Sequence, residues 1–172
     1  MTPMIQVVGW SPPPILRCKI NVDRAIFKAH EAVGVGVLIC DSHGQVVAAL
    51  SKKINAPLGA LEAKAKAFED GLQFAKDVGI HDFIIEGDSL IVYNAFCGHS
   101  SSPSFVASII SGMIVTCGAF YRVEFSHICK QGNRPAHLLA KHASCIVDFT
   151  TRMEENPYFI EQALIRDVYF FL

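Results

Sequence analysis

Three carboxylates stand where core packing alone would not ask for them. Asp23 interrupts the apolar stretch at residues 19–27, Glu62 lies beside the apolar stripe of a helical segment, and Asp88 follows the short apolar run 83–85 and Gly87. In a mixed α/β sheet, central strand ends and an adjoining helix can converge, and carboxylates gathered there repel one another unless divalent cations neutralise them. Such a cluster predicts Mg²⁺ or Mn²⁺. Two such ions about 3.5–4 Å apart activate a water and stabilise the leaving oxygen of a phosphodiester, without a side-chain nucleophile; none is evident in this sequence. Taken singly, each acid has a plainer reading: Asp23 as a turn residue, Glu62 as a first-turn helix acid favoured by the dipole, Asp88 as part of a helix-start turn.

The elements that must position these acids follow from hydrophobic period and turn chemistry. Residues 1–16 end in W-S-P-P-P, a stiff extended lead-in that neither starts a strand ladder nor continues a helix. From residue 17 the runs CKINVDRAIF, VGVGVLICD and QVVAALSKKI read as an antiparallel three-strand meander, with Asp41-Ser42-His43-Gly44 its clearest turn. Leu61, Ala65, Phe68, Leu72 and Ala75 then mark one face of a helix that ends near Gly79. A short buried strand at residues 83–86 leads to Asp88, and Ser89 is placed to cap a short helix. Residues 103–118 read as an uncharged, buried helix and residues 121–128 as a fifth strand. Asn133 caps a last helix, with Pro135 in its first turn and Leu138, Leu139, Ala143 and Ile146 facing inward. The order βββαβ, one or two helices, β, α implies an α/β domain with a mixed five-stranded sheet flanked by helices. The domain spans residues 17–149, and the tail 150–172, which ends in Tyr169-Phe170-Phe171-Leu172, is expected to pack on it as a helix or an extended arm.

Composition narrows the classes. With 172 residues, 51% hydrophobic and 18% charged, the chain is one globular domain rather than a disordered segment. A net charge of -1 gives no global attraction to phosphate, so any nucleic-acid binding must be local. The six cysteines form no C-x-x-C pair and lie mostly in apolar runs, which reads as reduced thiols in a nuclear or cytoplasmic setting. The N-terminus lacks the pattern of a secretory signal. Residues 98–121 carry no Asp, Glu, Lys or Arg, but the apolar part is shorter than the roughly 20 residues that span a bilayer. No membrane association is expected.

Five segments in order, W-S-P-P-P before K-I-N-V-D, G-V-G-V-L-I-C-D-S-H-G, A-L-E-A-K-A-K-A, I-I-E-G-D-S-L and Q-G-N-R-P-A-H-L-L-A, are similar to the plant ribonuclease H-like domains derived from non-LTR retrotransposons, across about residues 8–147. The resemblance implies the ribonuclease H-like fold. It also implies endonucleolytic cleavage of RNA in RNA–DNA hybrids, with two Mg²⁺ or Mn²⁺ ions held by Asp23, Glu62 and Asp88; a monomer is expected. Two positions depart from the pattern of type 1 ribonucleases H. Where a fourth acid is usual stands His137, whose neutral imidazole in a helix first turn suits Mn²⁺ better than Mg²⁺ or else only hydrogen-bonds near the site. Arg24, where a small residue is usual, narrows the approach, binds a substrate phosphate, or is a solvated strand-end cation.

The substrate contacts expected alongside it are Asn21, which could read the RNA 2′-hydroxyl, with Ser89, His127, Asn133 and Arg134. Arg17, Lys19, Lys52, Lys53, Lys130, Arg134 and Lys141 are the scattered cations near the expected groove. A DEDD exonuclease would need Asp-x-Glu at residues 23–25, where the sequence reads Asp-Arg-Ala. An integrase-type reading through Asp88 and Glu124 puts the second acid in a strand pattern and leaves Glu62 unexplained. The main alternative is a binding or interaction domain whose site has been weakened by Arg24 and His137.

Overall fold

The computed structural model describes residues 9–161, except 102 and 156. The first eight residues of the lead-in and the end of the tail, including the aromatic cluster at residues 169–172, lie outside the described residues. The chain orders as β1 (Cys18–Phe27), β2 (Ala32–Cys40), β3 (Val46–Ile54), α1 (Ala60–Val78), β4 (Asp82–Gly87), α2 (Leu90–Phe96), α3 (Ser104–Cys117), β5 (Arg122–His127), α4 (Arg134–His142) and β6 (Phe149–Met153). The sheet order is β5-β4-β1-β2-β3-β6. β1, β2 and β3 form the antiparallel meander, while β4 and β5 add parallel on the other side of β1. This places β1, which carries Asp23, in the middle of the sheet.

Local chemistry explains the boundaries. The Asp41 carboxylate accepts from the backbone N–H of His43 (2.9 Å) and Gln45 (3.0 Å), closing the β2–β3 turn in which Gly44 takes φ 74°. α1 ends at Gly79, whose φ of 88° is costly for a residue with a Cβ. Its buried face, which includes Ala65, Phe68, Leu72 and Ala75, packs with Ile20, Val22, Val35, Val37, Phe83 and Ile85 in the larger core. A second core on the opposite side of the sheet joins Trp10, Leu38, Cys40, Leu139 and Ile160.

Three expectations change. The sheet has six strands, because residues 149–153 pair antiparallel with β3, Ser51 opposite Thr150. The segment Phe-Thr-Thr-Arg-Met has too little alternation to announce a strand, and the open edge of β3 supplies its pairing. The lead-in is part of the core from Trp10, which is only 2% exposed. Helix α3 forms as expected but is not buried all round: Val106, Ile110 and Met113 face the core, whereas Phe105, Ile114 and Val115 are exposed. A helix that meets one neighbour buries one stripe whatever its other faces carry. No described helix is long and apolar enough to cross a membrane.

All six cysteines are free, with Cys40 buried and Cys97 and Cys145 exposed. Burial pushes the Cys40 thiol far above its ordinary range and that of Cys117 up to about 11, so both are protonated packing groups rather than thiolates.

Candidate active site

Strand alternation sorts β1 into two faces. Ile20 and Val22 point into the α1 core, while Asn21 and Asp23 point toward α4. Helix α4 reaches Asp23 because β2 opposes it with glycines. A Cβ on Gly34 or Gly36 would lie 2.0 Å from the carbonyl oxygen of Ala140 or Ala136, respectively, so the helix backbone rests directly on the strand. Gly36 is also the register partner of Asp23. The contact brings His137 Nδ1 to 2.9 Å from Asp23 Oδ2, while Asp23 Oδ1 accepts from the Arg24 backbone N–H at 2.8 Å. Asp23 is 5% exposed.

Asp88 arrives from the carboxyl end of β4 and lines one small cleft with Asp23, Val22, Lys64, Phe68 and Ser89. Its carboxylate is met by the chain's own cation, Lys64, with Nζ 3.5 Å from Oδ1. Ser89 caps α2, accepting from the Val92 N–H at 3.3 Å. His127, at the end of β5, places Nε2 3.3 Å from the Asp88 carbonyl oxygen and so borders the cleft. Glu62 is the acid that does not join: its carboxylate lies over the Gly59 turn, 3.7 Å from where a Gly59 Cβ would stand. Residues two apart on a helix do not share a face, so α1 presents Lys64 to Asp88 and turns Glu62 aside.

Carboxylate oxygens are the donors that Mg²⁺ and Mn²⁺ prefer. Asp23 and Asp88 therefore fit such an ion by chemistry and by their shared cleft, with His137 as a nitrogen donor beside them. The third acid is not gathered: among the described residues, no group of three His, Cys, Asp or Glu side chains is arranged to hold a metal. Asp88 is met instead by the Lys64 ammonium, and Asp23 by hydrogen bonds with His137 and the Arg24 backbone N–H.

A family model described as reverse transcriptase-like matches residues 21–143. The chain belongs to that family. Solved structures of RNase H enzymes share its fold. RNase H1 from the halophilic archaeon Halobacterium salinarum NRC-1 superposes with a TM-score of 0.70 at 22% identity, covering 75% of this chain and 98% of that one. The N-terminal RNase H domain of Rv2228c from Mycobacterium tuberculosis gives 0.66 at 19% identity, covering 74% and 92%. LC11-RNase H1, solved in complex with an RNA/DNA hybrid, gives 0.67 at 17% identity, covering 74% and 96%. A search of curated protein sequences finds no match. The fold is thus ribonuclease H-like, and the domain resembles RNase H1 enzymes.

Within this family member, several residues expected at the substrate are buried supports. Asn21 is 3% exposed: its Oδ1 accepts from Trp10 Nε1 (2.9 Å), and its Nδ2 donates to Glu86 Oε1 (3.0 Å) and Asn133 Oδ1 (3.1 Å). With both N–H groups donated and the side chain buried, Asn21 has no donor left for a 2′-hydroxyl and does not reach the surface. Asn133 stands at the N-cap of α4 as expected, but its amide donates to the Val22 carbonyl (2.8 Å) instead of capping the helix. Of the cations near the expected groove, Arg17 is turned to Asp82 and Glu124, Lys19 to Ser11 and Glu86, and Lys52 to Asp70. Lys130, Arg134 and Lys141 are exposed on and before α4. Arg24 is half-buried, with Nε lacking a hydrogen-bond partner.

Sequence reasoning passed over Lys64, which reads as an ordinary polar residue of a charged helix. It also passed over Trp10 and Glu86. An acid inside the apolar run I-I-E-G was the available signal for Glu86.

Proposed function

We propose that this domain binds RNA–DNA hybrids across the face that carries Asp23, Asp88, His127 and the exposed Arg134 and Lys130, and hydrolyses the RNA strand. The single observation that carries this reading is the convergence on one cleft of Asp23, inside β1 just past its last pairing with β4, and Asp88, at the carboxyl end of the parallel strand β4, in a fold shared with RNase H1 enzymes. The ions would be Mg²⁺ or Mn²⁺, held by Asp23 and Asp88, with His137 and, after rearrangement of the α1 first turn, Glu62. Bound there, they would supply an activated water and neutralise charge on the leaving oxygen. The chain's own groups have other tasks. Asn133 and Asn21 hold α4 and β4 against β1, His137 orients the Asp23 carboxylate, and the half-buried Arg24 would bring its positive charge to a substrate phosphate. Such a protein would work as a monomer in the nucleus or cytosol, in keeping with the plant retrotransposon-derived domains its motifs resemble.

The Lys64–Asp88 pair favours a second reading, a hybrid-binding domain in which internal cations have replaced the metals. A labelled RNA–DNA hybrid in Mg²⁺, Mn²⁺ or chelator separates the two. Metal-dependent cleavage lost in both Asp23→Asn and Asp88→Asn supports the nuclease. Hybrid binding that persists in chelator, with no cleavage in either metal, supports the binding domain.

A further inference from the structure

We infer that Lys64 is the resident counter-ion of Asp88 and competes with divalent cations for that carboxylate, so that metal enters the cleft only by displacing the lysine. This rests on the proposed role of Asp88 as a metal-binding acid. Three observations converge on Lys64. Its ammonium stands 3.5 Å from Asp88 Oδ1, with the lysine side chain 24% and the aspartate side chain 9% exposed, so the pair is only partly screened by water. Both residues line the cleft shared with Asp23, and the space between the lining atoms is too small for a water-sized guest. Finally, α1 cannot offer Glu62 and Lys64 to the same point, because their side chains leave the helix about 200° apart. With Lys64 at Asp88, the Glu62 carboxylate in this structure lies over Gly59 and not at the pair.

The competition follows from charge. A divalent ion at Asp88 would sit beside a fixed ammonium unless the lysine swings out, and a side chain with four rotatable bonds and one side toward solvent can do so. Withdrawal of Lys64 leaves Asp88 with the charge of an unpaired, nearly buried carboxylate beside Asp23, which is the arrangement that attracts a divalent ion. The exchange also gives the nucleic acid a part. A phosphate at the cleft mouth offers the ammonium an alternative partner, so hybrid and metal would favour each other's binding.

The test uses the full chain and Mn²⁺ alone, with affinity measured by calorimetry and by the electron paramagnetic resonance signal of the free ion. Lys64→Met keeps the length and packing of the stem without the charge, whereas Lys64→Arg keeps the charge. The expected result is Mn²⁺ binding tighter by roughly ten-fold in Lys64→Met, little changed in Lys64→Arg, with the gain abolished in Lys64→Met/Asp88→Asn. Equal affinity in wild type and Lys64→Met, a gain of the same size in Lys64→Arg, or a gain that survives Asp88→Asn would each overturn the inference. The two proposals fail separately. Hybrid cleavage without the Lys64→Met gain rejects the role of Lys64 alone, and the gain without cleavage rejects the nuclease alone.

Discussion

The two halves of the cleft are built to different standards. Asp23 sits on a central strand, against a helix whose backbone touches β2 at Gly34 and Gly36, and behind it lies a buried chain of hydrogen bonds from Trp10 through Asn21 to Glu86 and Asn133. Asp88 is held by one lysine that is partly in solvent, between an α1 that starts at Gly59 without a side-chain cap and an α2 of only seven residues that leaves Leu90 and Ile91 exposed. The first half is a rigid template, since shifting it would strand several buried polar groups. The second can rearrange by rotating side chains. Ligand-dependent change belongs on the side where little buried structure is lost.

The largest expected effect breaks the rigid half. Gly36→Val drives a side chain into the Ala136 carbonyl, and we expect a loss of about 3 kcal/mol in urea unfolding; an unchanged midpoint would mean that α4 is not seated on the strand as described. Asn133→Ala leaves the Val22 carbonyl and one Asn21 donor without partners and should cost about 2 kcal/mol, read from the same unfolding curves. Trp10→Phe keeps most of the packing and removes only the N–H donated to Asn21, for an expected loss of about 1 kcal/mol. In the adaptable half, Glu62→Gln should move stability by no more than about 0.5 kcal/mol. It should nevertheless weaken Mn²⁺ binding by calorimetry, so a large stability loss here would erase the contrast between the halves.

A second lysine–aspartate pair sharpens the comparison through pH. Burial pushes the Asp70 carboxyl above its ordinary value near 3.8, and Lys52, 3.0 Å away, only partly opposes this. The folded state then holds its proton to higher pH than the unfolded chain does. Asp70 therefore makes a contribution that is undiminished below about pH 3.8 and declines as pH rises through the raised folded value. Asp70→Asn should flatten that decline in unfolding curves recorded from acid to neutral pH; a curve of unchanged slope would remove Asp70 as its source.

Much of this protein follows from its sequence alone. Period-two and period-3.6 patterns determine the meander, the α1 stripe and the strand before Asp88, because each reflects which face of one element is apolar. The positions of Asp23 within the first strand, Asp88 after the fourth and His137 in the first turn of the last helix follow from the same patterns. Tertiary packing decided the rest. Only contact across the sheet shows that Asn21 is occupied by Trp10, Glu86 and Asn133, partners up to 112 residues away. A hydrogen-bonding side chain in a strand reads the same whether its partner is a substrate or the protein. The same holds for Lys64 beside Asp88 and for Glu62 turned to Gly59: a helix period states which residues share a face, but the rotation of the helix on its neighbours decides which charge meets which.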